Sequence, residues 1–205
     1  MSCYEFIIVI VQALVAIGTI AVAITAIWGD FIRNKYYGPK LNITLLDSLG
    51  DLTYLLNGIP GLYYKFKVEN NRLWSPAKNV RVLLLRVYKP AADGKYVESD
   101  FSGPIQITWQ WSDLQYQNIG PESICTFGHL IKGKNFELST YVKPNNLDRF
   151  IKANEKMIIV VKAVADTAES NTLNVEISWN GKWNDDRVEM SKNLVIKETN
   201  QELGC

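Results

Sequence analysis

The chain has 205 residues, 47% hydrophobic and 21% charged, with a formal net charge of +1. That composition excludes a disordered polyelectrolyte and leaves room for one ordinary folded domain. Beyond residue 40 cations and anions are equal in number, which excludes a surface built to coat nucleic acid.

Residues 1–5 are read as a short tail. Phe6 to Trp28 then runs without a charged side chain. As a helix it spans roughly 34 Å, enough to cross a hydrocarbon core of about 30 Å with some tilt. No Lys or Arg precedes it, and it exceeds the apolar run of about 7–15 residues typical of a signal peptide. A retained transmembrane helix over 6–28 is therefore expected. Arg33, Lys35 and Lys40 follow the span, and cytoplasmic flanks collect basic residues. The expected topology is a single pass through the cell inner membrane, N-terminus outside and C-terminal domain cytoplasmic. Trp28, Tyr36 and Tyr37 suit an interfacial aromatic belt. Gln12, Ala16, Thr19, Ala23 and Ala26 recur at helical spacing, which makes them the candidate face for self-association.

Residues 29–39 form a connector that Gly38-Pro39 closes, because proline removes a backbone donor and restricts its predecessor. The domain expected over 40–197 changes to a period of two. Leu41–Leu46 and Leu52–Leu56 are short strand candidates. Leu62, Tyr64, Phe66 and Val68 alternate with polar or amphipathic residues, as a half-buried strand requires. Val80–Tyr88 is apolar on both faces, as a central strand would be. Asp93-Gly94 predicts a turn onto Tyr96-Val97. Ile105, Ile107 and Trp109 alternate again. Asn145–Asn154 predicts one short helix or turn. Met157–Ala165 is the most β-like stretch. Leu173, Val175, Ile177 and Trp179 lead into Asn180-Gly181, a strong hairpin signal that predicts a two-residue turn and a return strand carrying Trp183 and reaching toward Val188. Residues 198–205 read as a flexible tail. Seven or more short strands separated by turns predict a mainly β fold, an antiparallel β-sandwich behind one N-terminal transmembrane helix, with a barrel as the alternative.

Val68-Glu69-Asn70 and Ser75-Pro76-Ala77-Lys78-Asn79-Val80-Arg81-Val82 carry a local resemblance. They resemble the strand–Asn–loop–Pro-Ala-x-Asn-Val-x-Val passage of prokaryotic immunoglobulin-like domains of the CARDB type. Asn71 stands where that pattern often has glycine. The resemblance covers about a tenth of the chain, and implies an immunoglobulin-like sandwich serving as a binding or adhesion module. The layout also resembles uncharacterised prokaryotic single-pass proteins with one β domain.

Catalytic signals are sparse. Cys3, Cys125 and Cys205 draw no disulfide framework, and reduced thiols are expected. His129 is the only histidine. Cys125 lies four residues before it, which in a regular strand means the same face but about 13 Å of separation. A hydrolase using Cys125 ranks last. No zinc ligand set appears. Asp185-Asp186 reads as a solvated acidic turn rather than a Ca²⁺ loop. Gly58-Ile59-Pro60-Gly61 lacks the ending of a phosphate-binding loop. No metal, no cofactor and no enzymatic activity are expected. Six tryptophans suggest an aromatic binding surface, for which Trp109 and Trp111 share a predicted strand face. Tyr63, Trp111 and Trp183 are the ligand-binding candidates, with Lys65 and Lys182 as polar contacts.

The expected function is a membrane-anchored, non-enzymatic interaction module on the cytoplasmic face. The alternative is a ligand-sensing membrane effector of defence type, whose helices oligomerise and perturb the bilayer. The partners expected are the lipid bilayer, a second copy through the helix face, and a protein or small molecule at the β domain. A pocketless sandwich would favour the module, and a concave basic-aromatic cavity the effector.

Overall fold

The computed structural model describes residues 3–91, 93–101, 103–110 and 112–200. The chain divides into two compact units, Met1–Gly38 and Pro39–Cys205. The first is a single helix, α1 (Cys3–Tyr37). Its stretch Phe6–Phe31 is long and apolar enough to cross a membrane. Apolar character thus reaches three residues past Trp28, since Asp30 is the one charge in that extension. Gln12, Ala16, Thr19, Ala23 and Ala26 are all exposed on α1. The Thr19 hydroxyl is occupied within the helix, donating to the Val15 carbonyl at 2.9 Å.

In chain order the second unit runs β1 (Leu41–Leu45), β2 (Asp51–Tyr54), β3 (Pro60–Asn70), β4 (Ala77–Pro90) and β5 (Tyr96–Glu98). Short strands β6 (Ile105–Gln106), β7 (Thr108–Trp109) and β8 (Gln117–Ile119) come next. Then come β9 (Glu122–Ile131), β10 (Phe136–Leu138), β11 (Phe150–Ile151), β12 (Glu155–Val164) and β13 (Glu169–Trp179). Helix α2 (Arg187–Asn193) and β14 (Leu194–Glu198) close the described chain.

These strands form two antiparallel sheets. The first has the order β1-β3-β9-β10-β11, with β2 on β3 and β7 on β9. The second has the order β14-β13-β12-β4-β5, with β6 and β8 on β4. The fold is mainly β, a sandwich preceded by one helix. Alternation selects the inner faces: Leu62, Tyr64, Phe66 and Val68 from β3 meet Val82, Leu84, Ile159, Val161, Val175 and Ile177 in one apolar cluster. The Ile105–Trp109 run is not one strand. Ile105-Gln106 pairs with β4 and Thr108-Trp109 with β9, so the chain crosses between the sheets at Ile107.

One local expectation is corrected. Asn180-Gly181 does not close a hairpin. Gly181 does take a positive φ of 86°, but the chain continues into an Asx turn, with Asp186 N–H on Asn184 Oδ1 at 2.9 Å. Asp186 then caps α2, its Oδ1 accepting from Val188 and Glu189 N–H, each at 2.9 Å. The strand that returns along β13 is β14, with Leu194 opposite Trp179. Asn145–Asn154, expected as a short helix or turn, takes the turn alternative: Leu147 N–H donates to the Pro144 carbonyl at 3.2 Å and Glu155 N–H to the Lys152 carbonyl at 3.1 Å. Leu138 N–H donates to the Arg149 carbonyl at 2.9 Å, which draws Phe150-Ile151 beside β10 as a sheet edge.

Asn70 and Asn79 each have a local task. The Asn70 side chain is buried, accepts from Lys40 and Arg72 N–H at 3.1 Å each, and donates to the Ser75 carbonyl at 2.7 Å. Asn79 takes φ 54° at a register shift between β4 and β8, a conformation asparagine tolerates.

Candidate functional site

Strand β9 sets the outer face of the first sheet, and its own pattern is irregular. From Phe66 opposite Cys125 the register moves to Tyr64 opposite Gly128, so one extra residue is inserted as a bulge. Phe127 and Gly128 are consequently both buried. Phe127 stacks on Phe66 with centroids 4.1 Å apart. Gly128 gives its missing side chain to Phe136, whose ring would lie 2.8 Å or less from a Cβ at that position.

The bulge reverses the parity of the strand. Cys125 faces the core, wholly buried, and burial pushes its thiol up to about 12. His129 emerges on the opposite, outer face. Cys125 and His129 therefore do not share a face, contrary to the regular-strand expectation.

Register then aligns a row across five strands: Asp51 opposite Tyr63, Tyr63 opposite His129, His129 opposite Glu137, and Glu137 opposite Phe150. Such directly opposed residues lie about 4.5–5.5 Å apart at Cβ and interact. Tyr63 and His129 stack, with centroids 5.6 Å apart and planes 20° from parallel. His129 Nδ1 lies 3.1 Å from Ser139 Oγ, and Nε2 lies 3.8 Å from Glu137 Oε2. Burial lowers the His129 pKa, against the upward pull of Glu137 and helped by Lys143 and Lys134. Burial by itself raises Glu137, but hydrogen bonds from Lys143 and Arg149 outweigh it and hold the carboxyl below its ordinary value. Lys143 Nζ and Arg149 Nε each reach Glu137 Oε1 at 3.0 Å. The Arg149 guanidinium also sits 4.7 Å from the centroid of Phe150.

Beside this row lies an open depression of about 420 Å³, lined by Asp51, Tyr63, Lys65, Trp109, His129 and Ser139 among others. Lys65 is ion-paired with Asp51. The Trp109 indole N–H is buried with no hydrogen-bond partner among the described residues. A second hollow of about 290 Å³ flanks His129 on the side of Glu137 and Phe150. With a largely neutral imidazole, two hydroxyl-bearing neighbours and a stacked aromatic pair, the face can accept a planar or peptide-like group by stacking and hydrogen bonding. A Ser-His-acid arrangement for acyl transfer needs the acid to orient the imidazole. Here Glu137 stands beyond hydrogen-bond reach of Nε2 and is already held by two cations.

Of the residues singled out from sequence, Tyr63 and Lys65 line the depression. Lys182 and Trp183 do not. Lys182 is exposed in the turn after β13, its N–H on Asn180 Oδ1 at 2.9 Å. Trp183 packs half-buried against the core and donates from Nε1 to Asp185 Oδ1 at 2.7 Å. Asp185 also accepts from Lys132 at 3.0 Å; the Trp183 and Lys132 hydrogen bonds together keep its pKa low. Trp111 lies outside the described residues, and Trp109 is core rather than surface. His129, Ser139, Glu137 and Asp51 escaped the sequence reading. The one signal for them was the isolated histidine, which a regular-strand geometry placed on the wrong face. No protein-family model matches the chain, and no curated protein matches it in sequence.

Proposed function

We propose that the chain is a membrane-anchored, non-enzymatic interaction module, with α1 spanning the inner membrane, the N-terminus outside and the β domain on the cytoplasmic face. The orientation rests on Arg33, Lys35 and Lys40 after the span. The recognition surface is the outer face of the first sheet around Tyr63 and His129. The observation that carries this reading is the state of the charges there. Lys65 is matched by Asp51, and Glu137 by Lys143 and Arg149, so the face offers a preorganised aromatic surface rather than a reactive or strongly charged one. Aromatic residues held in place by neighbours are the usual anchors of protein contacts. The likeness of Val68-Glu69-Asn70 and Ser75–Val82 to CARDB-type immunoglobulin-like domains supports a binding role as well.

A photoreactive residue at position 63, compared with one at Lys156 on the second sheet, tests the surface in intact cells. A discrete adduct is expected from 63. Adducts no stronger than those from 156 would remove this face from the proposal. Impermeant thiol labelling of a cysteine at Asp93 tests the orientation, and labelling in intact cells would reverse it.

The effector reading keeps one supporting observation. A depression of about 420 Å³ falls within the range of about 300–1,000 Å³ that small ligands occupy. Its aromatic lining fits that reading, whereas its balanced charge does not favour an anionic signal.

A further inference from the structure

The loop between β3 and β4, residues 71–76, stands where the chain enters the β domain. Asn71 N–H donates to the Lys40 carbonyl at 2.9 Å, and Lys40 N–H donates to Asn70 Oδ1 at 3.1 Å. Asn70 also holds Arg72 N–H and the Ser75 carbonyl, so one buried side chain binds both ends of the loop to Lys40, the residue before β1. Helix α1 ends at Tyr37, three residues before Lys40. The base of the loop is therefore within about 11 Å of chain from the end of the helix.

This loop turns its apolar residues outward. Leu73 is 66% exposed and Trp74 is 74% exposed, the most of any described tryptophan. Neither belongs to the apolar core of the sandwich. Lys40 and Lys78 are exposed on either side. Of the acidic groups at this end, Asp166 is engaged by Asn79 Nδ2 at 2.8 Å, and Glu122 is exposed. Tryptophan beside leucine and basic residues suits the membrane–water interface, where an amphipathic ring keeps its N–H wet and its carbons in the acyl boundary.

We propose that Leu73 and Trp74 dip into the headgroup region of the bilayer that α1 enters, forming a second, peripheral membrane contact. The proposal rests on the anchoring reading above. Chain continuity with the anchor selects lipid as the occupant: the loop is hydrogen-bonded to Lys40, three residues of chain after α1 ends, so a bilayer is the apolar phase within its reach.

The test uses the full chain carrying Cys3→Ser and Cys205→Ser, which leaves only the wholly buried Cys125. Single cysteines are introduced as Val22→Cys in α1, Ser75→Cys in the loop, and Asp93→Cys in the turn at the far end of β4. Each is labelled with an environment-sensitive fluorophore. The proteins are placed in vesicles of phosphatidylcholine and phosphatidylglycerol, and quenched by a lipid-borne spin label or by aqueous iodide. Labels at 22 and 75 should respond to the lipid-borne quencher and be shielded from iodide, with the reverse at 93. Adding Leu73→Ser and Trp74→Ser should turn the label at 75 toward iodide while leaving 22 unchanged. Lipid quenching at 22 with iodide quenching at 75 would overturn the loop proposal and leave the anchor standing. Iodide quenching at 22 would overturn the anchoring reading, and the loop proposal with it. Shielding of 75 from both quenchers would mean that a protein surface covers the loop, which also overturns the proposal.

Discussion

Gly128→Ala should destabilise the β domain through one contact, with Phe136. A Cβ at residue 128 would lie 2.8 Å from Phe136 Cε1 and closer still to Cζ, where carbon–carbon contact wants about 3.5–4.0 Å. The ring has little room to retreat. Phe136 is wholly buried and packs at 5.9 Å from Tyr64, and the Glu137 carbonyl lies 3.2 Å from the same added atom. Overpacking of this kind costs about 1–3 kcal/mol. In urea unfolding of the detergent-solubilised full chain, followed by tryptophan fluorescence, that is a drop of roughly 0.5–1.5 M in the midpoint. Phe136→Leu alone should cost about 1–2 kcal/mol in lost packing. The double variant should lose less than the sum of the two, with a coupling of about 0.5–3 kcal/mol, because the shorter side chain makes room for the methyl group. An unchanged midpoint in Gly128→Ala, or strictly additive losses in the double variant, would refute the steric argument. The bulge would then owe its place to something other than the Gly128–Phe136 contact.

Asp186→Ala removes the acceptor for two N–H groups at the start of α2 and should cost about 1 kcal/mol, read as a lowered urea midpoint. Asn70→Ala leaves three part-buried backbone groups without their side-chain partner and should cost about 1–3 kcal/mol, with faster proteolysis in the 71–76 loop. Burial holds the His129 pKa below its ordinary 6.5, so the unfolded chain takes up that proton first. Stability should therefore fall as pH drops from about 7.5 to about 5.5; His129→Gln should flatten this slope, and an unchanged slope would show that His129 is not its source. Glu137 has its pKa lowered, so its contribution is lost only as pH falls below its ordinary 4.5, outside that window. On the effector reading, Ala23→Leu and Gln12→Leu should weaken self-association of the span in a membrane two-hybrid assay, while Val22→Leu should not. Equal signals from all three variants would leave α1 a plain tether.

The sequence by itself determined the apolar span, the β class and most strand positions. Those features are written locally, in a run without charge from Phe6 onward and in alternation over Leu62–Val68 and Leu173–Trp179. Turn chemistry was legible too, in that Gly181 does adopt the left-handed conformation its dipeptide suggests. The path of the chain after Gly181 was not legible, because Asn184 and Asp186 capture the backbone before a strand can form. Strand β9 was hidden by its bulge, since Phe127 and Gly128 both turn inward and break the period of two. The row Asp51–Tyr63–His129–Glu137–Phe150 was hidden more deeply. Its members come from five strands, and a shift of one residue in any pairing would send a side chain to the other face. Only the tertiary structure decides that register, because it depends on which distant strands bury their apolar faces together, a sum over the whole sandwich that no local window contains.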